Sequence, residues 1–176
     1  MIKIGKAFFA LTLLVLAVSA SVQGQTQTYS LVNGDSLAPA SSFIDSNGVK
    51  TYFGGFVIGQ VSAAAPTTFS FSVAFTEVGP VEDSPGVYSG SIVAPNSSFA
   101  VTQSTGRKSV STSGSIDRGT VFYTLTPEGR AEVVGIQSDS LTVWEGKNKN
   151  RRAVGDGTLE YGTVVEGSGT LVLNFF

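Results

Sequence analysis

Thr68-Phe69-Ser70-Phe71-Ser72-Val73-Ala74-Phe75-Thr76 alternates large apolar and small side chains without a break. In an extended chain successive side chains point to opposite faces, so Phe69, Phe71, Val73 and Phe75 share one face while Ser70, Ser72, Ala74 and Thr76 share the other. A helix cannot separate this pattern into two faces. Four large side chains in one row need an opposing layer, so the other β-patterned segments are expected as neighbours of this strand or as the layer packed on it.

Working outward, the same signature recurs. Asn33-Gly34 closes a strand-sized segment that starts at Gln25 and is read as an edge strand or a loose tail. Ser46-Asn47-Gly48 turns the chain into a long run from Val49 to Val61, interrupted by Gly54, Gly55 and Gly59. Glycines inside a strand suggest bulges or a sheet that bends over itself. Beyond the phenylalanine row, Gly79 to Gly86 is the clearest loop, with two prolines, two glycines and two acids. Strands are then expected at Val87–Ala94, Phe99–Gln103, Ser109–Ile116 and Thr120–Thr126. The turn Pro127-Glu128-Gly129 folds the last of these onto Arg130–Ile136. After a turn at Gln137–Ser140 come Leu141–Glu145, a basic loop and three short glycine-separated segments. Ser-Gly-Ser-Ile at 89–92 and 113–116, and Gly-x-Gly-Thr-Leu at 155–159 and 167–171, are echoes of turn and strand composition. The expected fold is all-β: a single antiparallel barrel or strongly curled β-sandwich of about 8–10 strands, the glycine-broken strand favouring the barrel.

Ahead of this pattern, Met1 to Ala20 carries Lys3 and Lys6, an apolar run from Ala7 to Val18, and then small residues. That order reads as a secretory signal peptide at 1–20, cleaved before Ser21, with residues 21–176 forming a single all-β domain. The expected location is secreted, extracellular or periplasmic, with no stable membrane anchor after cleavage. Roughly 155 residues remain, enough to bury a core without staples, which fits the absence of cysteine. The leader holds two of the 11 basic residues, so nine face 13 acids, a balance near −4 that argues against a nucleic-acid partner. With neither His nor Cys, thiol nucleophiles, imidazole bases, ordinary zinc, copper or haem sites and Ser-His-Asp triads are excluded; no cofactor is expected.

Few residues stand out as candidates for chemistry. Glu145, Glu160 and Glu166 lie near the C-terminal strands, but nothing in their spacing selects a glycosidase pair. Asp45-Ser46-Asn47-Gly48 starts like a calcium loop and then departs from it, its glycine falling at the fourth position and no glutamate at the twelfth. Asn96-Ser97-Ser98 is a formal glycosylation sequon. Trp144, the sole tryptophan, lies on the strand face opposite Leu141 and Val143; if those two are core, the indole is available to stack on a sugar ring or a partner. The basic loop Lys147, Lys149, Arg151 and Arg152 could meet an anionic polymer or headgroup. These five residues are the candidate surface contacts. The leading expectation is a non-enzymatic structural or binding domain, whose partner is a macromolecule, another copy of itself or a small apolar ligand. An outer-membrane β-barrel and a barrel enzyme or ligand carrier with an interior pocket are the alternatives.

Overall fold

The computed structural model describes residues 24–32, 41–44, 46–61, 66–162 and 168–176. The expected leader at 1–20, Asp45 and Glu166 lie outside them. Among the described residues ten strands form one antiparallel sheet: β1 (Thr26–Val32), β2 (Ser41–Ile44), β3 (Lys50–Val61), β4 (Pro66–Pro80), β5 (Tyr88–Ile92), β6 (Ser98–Thr105), β7 (Lys108–Leu125), β8 (Ala131–Glu145), β9 (Arg152–Gly162) and β10 (Ser168–Phe175). Their lateral order is β1-β10-β9-β8-β7-β5-β4-β3-β2, with β6 also lying between β4 and β7. The sheet rolls on itself, bringing the Tyr29 ring of β1 edge-on to Phe69 of β4 at 5.4 Å.

The phenylalanine row behaves as its alternation dictates. Phe69, Phe71, Val73 and Phe75 are buried, and they meet Ile116, Val121, Leu141, Val143, Leu159, Leu171 and Leu173 from the other strands. Ser70 and Ser72 face water. Ala74 departs from its row: it is fully buried where Val93–Ser97 passes between β5 and β6. That passage is the main irregularity of the fold. The first half of β4 pairs β6, from Thr67 with Gln103 to Ser72 with Ser98. Its second half pairs β5, from Phe75 with Ile92 to Pro80 with Tyr88. β7 divides in the same way, its early residues pairing β6 and Thr120–Tyr123 pairing β5.

Two short strands therefore lie end to end where one long strand would otherwise run, and the gap is closed by Ser97. The Ala74 N–H donates to Ser97 Oγ at 3.0 Å, and the hydroxyl has the Ala74 and Val93 carbonyls within 3.2 Å as alternative acceptors. The Ile116 N–H donates to the Ser97 carbonyl at 3.0 Å. A buried side-chain hydroxyl thus does part of the work of a missing backbone rung, because buried peptide groups must be paired.

Three segment readings change. The expected strands Ser109–Ile116 and Thr120–Thr126 are one strand, β7, whose ladder shifts register at Ile116/Arg118 and Arg118/Thr120. The expected turn at Gln137–Ser140 is likewise a bulge within β8, between Ser138 and Leu141. The two irregularities face each other: Ser138 Oγ donates to the Arg118 carbonyl, and Arg118 pairs with Asp139 at 3.2 Å. By contrast, β3 runs beside β4 from Thr51 to Val61 with no register shift despite its three glycines. Of the two readings of the first segment the edge strand holds: β1 ends the sheet order and pairs β10 from Thr26 with Asn174 to Val32 with Ser168. The Pro127-Glu128-Gly129 hairpin forms as read, with Gly129 at φ 79 and the Thr126 N–H bonded to the Arg130 carbonyl at 2.8 Å.

Candidate functional site

Strand parity fixes where Trp144 goes. Leu141 and Val143 are buried, which sends the indole of Trp144 to the outer face of β8, where it is half-buried. Its ladder neighbour on β7 is Ser113, which pairs Ala100 of β6, which pairs Ser70 of β4. The adjacent row runs Ser72, Ser98, Ser115, Thr142, Asp156, Asn174 and Thr26 across seven strands. Neighbouring strands stand about 4.8 Å apart, so each row is a nearly continuous track of small side chains at right angles to the chain.

Where the tracks reach Trp144 they form a groove of about 350 Å³. Ser70, Ser72, Ser98 and Ser113 line it with hydroxyls; Trp144 and Arg151 supply its bulky wall. From below, the ring of Phe99 reaches the groove beside Gly114. A Cβ at position 114 would overlap that ring and the Thr142 carbonyl, so glycine here lets the core pack hard against the floor.

The indole is held by a defined set of hydrogen bonds. Trp144 Nε1–H donates to Ser115 Oγ at 2.9 Å, Ser115 Oγ donates to Asp117 Oδ1 at 2.6 Å, and Thr142 Oγ1 donates to Asp117 Oδ2. Arg151 lies over the indole with its guanidinium carbon 4.0 Å from the ring centroid. Arg151 enters from the β9 side of β8, whereas the serine floor lies on the β7 side. Charge and ring quadrupole attract at this distance.

Of the five candidate surface residues, Trp144 and Arg151 come together in the groove. Lys147 and Lys149 are exposed on the tight turn between Gly146 and Arg151, a 3-10 turn at Asn148–Asn150. Arg152 is drawn away, its guanidinium donating to Glu145 Oε2 at 2.6 and 2.8 Å. Ser115 and Asp117 were not singled out in the sequence. Their signal was the alternation Ser115-x-Asp117, which puts both on the face that carries the tryptophan once β7 and β8 are in register. Glu145 and Glu160 are not brought together. Glu145 pairs Arg152 and Glu160 lies eight residues further along β9, about 26 Å at roughly 3.3 Å per residue, beyond any paired-carboxylate mechanism.

At the other end of the core Tyr52, Phe75, Tyr88 and Tyr123 form an aromatic cluster, with Tyr52–Phe75 and Tyr52–Tyr123 centroids 5.2 and 5.1 Å apart. Tyr52 Oη donates to Glu77 at 3.4 Å, and Lys50 Nζ sits 5.0 Å from the Tyr52 ring centroid. The Tyr123 hydroxyl is buried beside Tyr52 and Glu77 but makes no hydrogen bond of ordinary geometry among the described residues. Burial first, then the negative charge of Glu77, pushes its pKa up. Among the described residues no three His, Cys, Asp or Glu side chains gather in metal-binding reach. No family model matches this chain, and neither a curated protein nor a solved structure does.

Proposed function

We propose that this chain is an exported, non-catalytic β-domain that binds a polyhydroxylated ligand, a carbohydrate by chemistry, in the groove beside Trp144. The observation that carries this reading is the convergence of an oriented indole with a floor of four serine hydroxyls on the outer face of a rigid sheet. Indole rings stack on the C–H faces of sugars, and small hydroxyls exchange hydrogen bonds with sugar hydroxyls. A small apolar ligand is matched less well, because the floor is polar. An outer-membrane barrel is matched less well too, since a lipid-facing surface needs an apolar band where this sheet carries rows of Ser, Thr, Asp and Asn.

Trp144 is the sole tryptophan, so its fluorescence reports on this groove alone. Titrating the mature protein with a panel of neutral and charged oligosaccharides is expected to shift that emission saturably, and Trp144→Ala is expected to abolish binding measured by calorimetry. If calorimetry detects no saccharide with the unsubstituted protein, or if Trp144→Ala binds as well, the reading fails. Turnover of any panel substrate would overturn its non-catalytic part.

A further inference from the structure

Resting on that reading, we infer that the ligand is an acidic polysaccharide, whose anionic group is held by Arg151 while a neighbouring sugar ring packs on Trp144. The charge in the groove lining is one-sided. None of the floor residues is charged, and Arg151 is the only charged residue in the lining. Its guanidinium has no carboxylate in ion-pair reach among the described residues. Glu145 is paired with Arg152, whereas Asp117, which accepts hydrogen bonds from the hydroxyls of Ser115 and Thr142, keeps its negative charge on the β7 side of the indole.

Lys147 and Lys149 extend the cationic rim. Gly146 and Arg151 both line the groove, and the turn between them is tight, with the Asn150 N–H bonded to the Lys147 carbonyl at 3.1 Å and the Arg151 N–H to the Asn148 carbonyl at 3.2 Å. Both lysines are therefore within one turn of the groove's end. The planar guanidinium fork matches a carboxylate or sulfate ester, and the mobile lysines act as point charges for the next anionic unit. On the far side of β8 the polar track turns acidic at Asp156. An anionic chain is accordingly favoured over the uncharged serine floor of β4 and β6 and disfavoured beside Asp117 of β7 and over β9.

The test titrates the mature protein, following Trp144 emission and calorimetric heat, with four probes: cellohexaose, hexagalacturonate, a chondroitin sulfate hexasaccharide and poly-L-glutamate of matched charge. The expected result is that at least one acidic hexasaccharide binds about tenfold or more tightly than cellohexaose and poly-L-glutamate, a difference of about 1.4 kcal/mol. Which acidic sugar binds identifies the anionic group as carboxylate or sulfate. The preference is expected to disappear in Arg151→Gln, to weaken in Lys147→Gln/Lys149→Gln, and to collapse near 1 M salt, where the Debye length is about 3 Å. Arg151 is exposed, so its replacement leaves the core untouched. Cellohexaose binding as tightly as the acidic sugars overturns this inference while leaving the saccharide groove intact. Poly-L-glutamate binding as tightly as any sugar reduces recognition to charge and also overturns it. Silence with all three sugars overturns the saccharide reading itself.

Discussion

The two halves of β4 meet different neighbours. From Thr67 to Ser72 the strand pairs β6, and beneath it Phe69, Phe71 and Phe99 form a phenylalanine core, met edge-on by the Tyr29 ring, on which the serine-floored groove rests. From Phe75 to Pro80 it pairs β5, and the core there is built from phenols, Tyr52, Tyr88 and Tyr123. One alternating pattern thus supports a hydrocarbon end and a polar aromatic end. The first gives the outer face a hard backing, and the second buries a hydroxyl that makes no hydrogen bond of ordinary geometry.

Removing the backing has the largest effect. Phe71→Ala is expected to cost about 3–5 kcal/mol in urea melts, with loss of saccharide binding as the floor relaxes. At the junction of the two halves, Ser97→Ala leaves the Ala74 N–H without its acceptor and is expected to cost about 1–3 kcal/mol; Ser97→Thr, which restores the hydroxyl, should recover part of that. In the phenolic half the sign reverses. Tyr123→Phe removes a buried hydroxyl that makes no hydrogen bond of ordinary geometry and is expected to stabilise by up to about 1 kcal/mol at neutral pH. Because the folded Tyr123 keeps its proton above the unfolded pKa of about 10, the unfolded chain holds fewer protons in the window above that value, and stability falls there as pH rises. Thermal melts between neutrality and strong alkali should show a shallower decline for Tyr123→Phe, with the share due to Tyr29, whose pKa burial also raises, remaining. The smallest effect belongs to the outer face of the hydrocarbon half. Ser72→Ala should change stability by less than about 0.5 kcal/mol, so any weakening of saccharide binding there is a direct loss of floor contact.

What the sequence made legible follows from what is local. The Phe69–Phe75 alternation and the Pro127-Glu128-Gly129 turn are each specified within a few residues, and the chain obeys them. The continuity of β7 through Asp117-Arg118-Gly119 was not legible, because a glycine beside two charged residues reads as a turn, whereas the Ser138 hydroxyl and Asp139 carboxylate that accommodate it come from another strand. The end-to-end placement of β5 and β6 was hidden for the same reason: it depends on Ser97 reaching Ala74, 23 residues away. For the groove, parity placed Trp144 outward, but its serine neighbours come from three strands and become adjacent only through register. The basic loop read as one cluster of four; a single ion pair to Glu145 removes Arg152 from it.

The placement of β10 between β1 and β9 governs the order in which the sheet can be completed. Thr26 and Asn174, bonded at 2.9 Å, are 148 residues apart in the chain. During synthesis from the amino end, β1 emerges early and finds its ladder partner only when β10 follows. Until then Leu31 lacks the backbone neighbour beside which it is buried. Contacts of such long sequence separation form slowly, since the loop must close before the rungs reward it. The last rungs of this sheet are thus postponed until nearly the whole polypeptide is available, and β1 waits for its ladder partner until then.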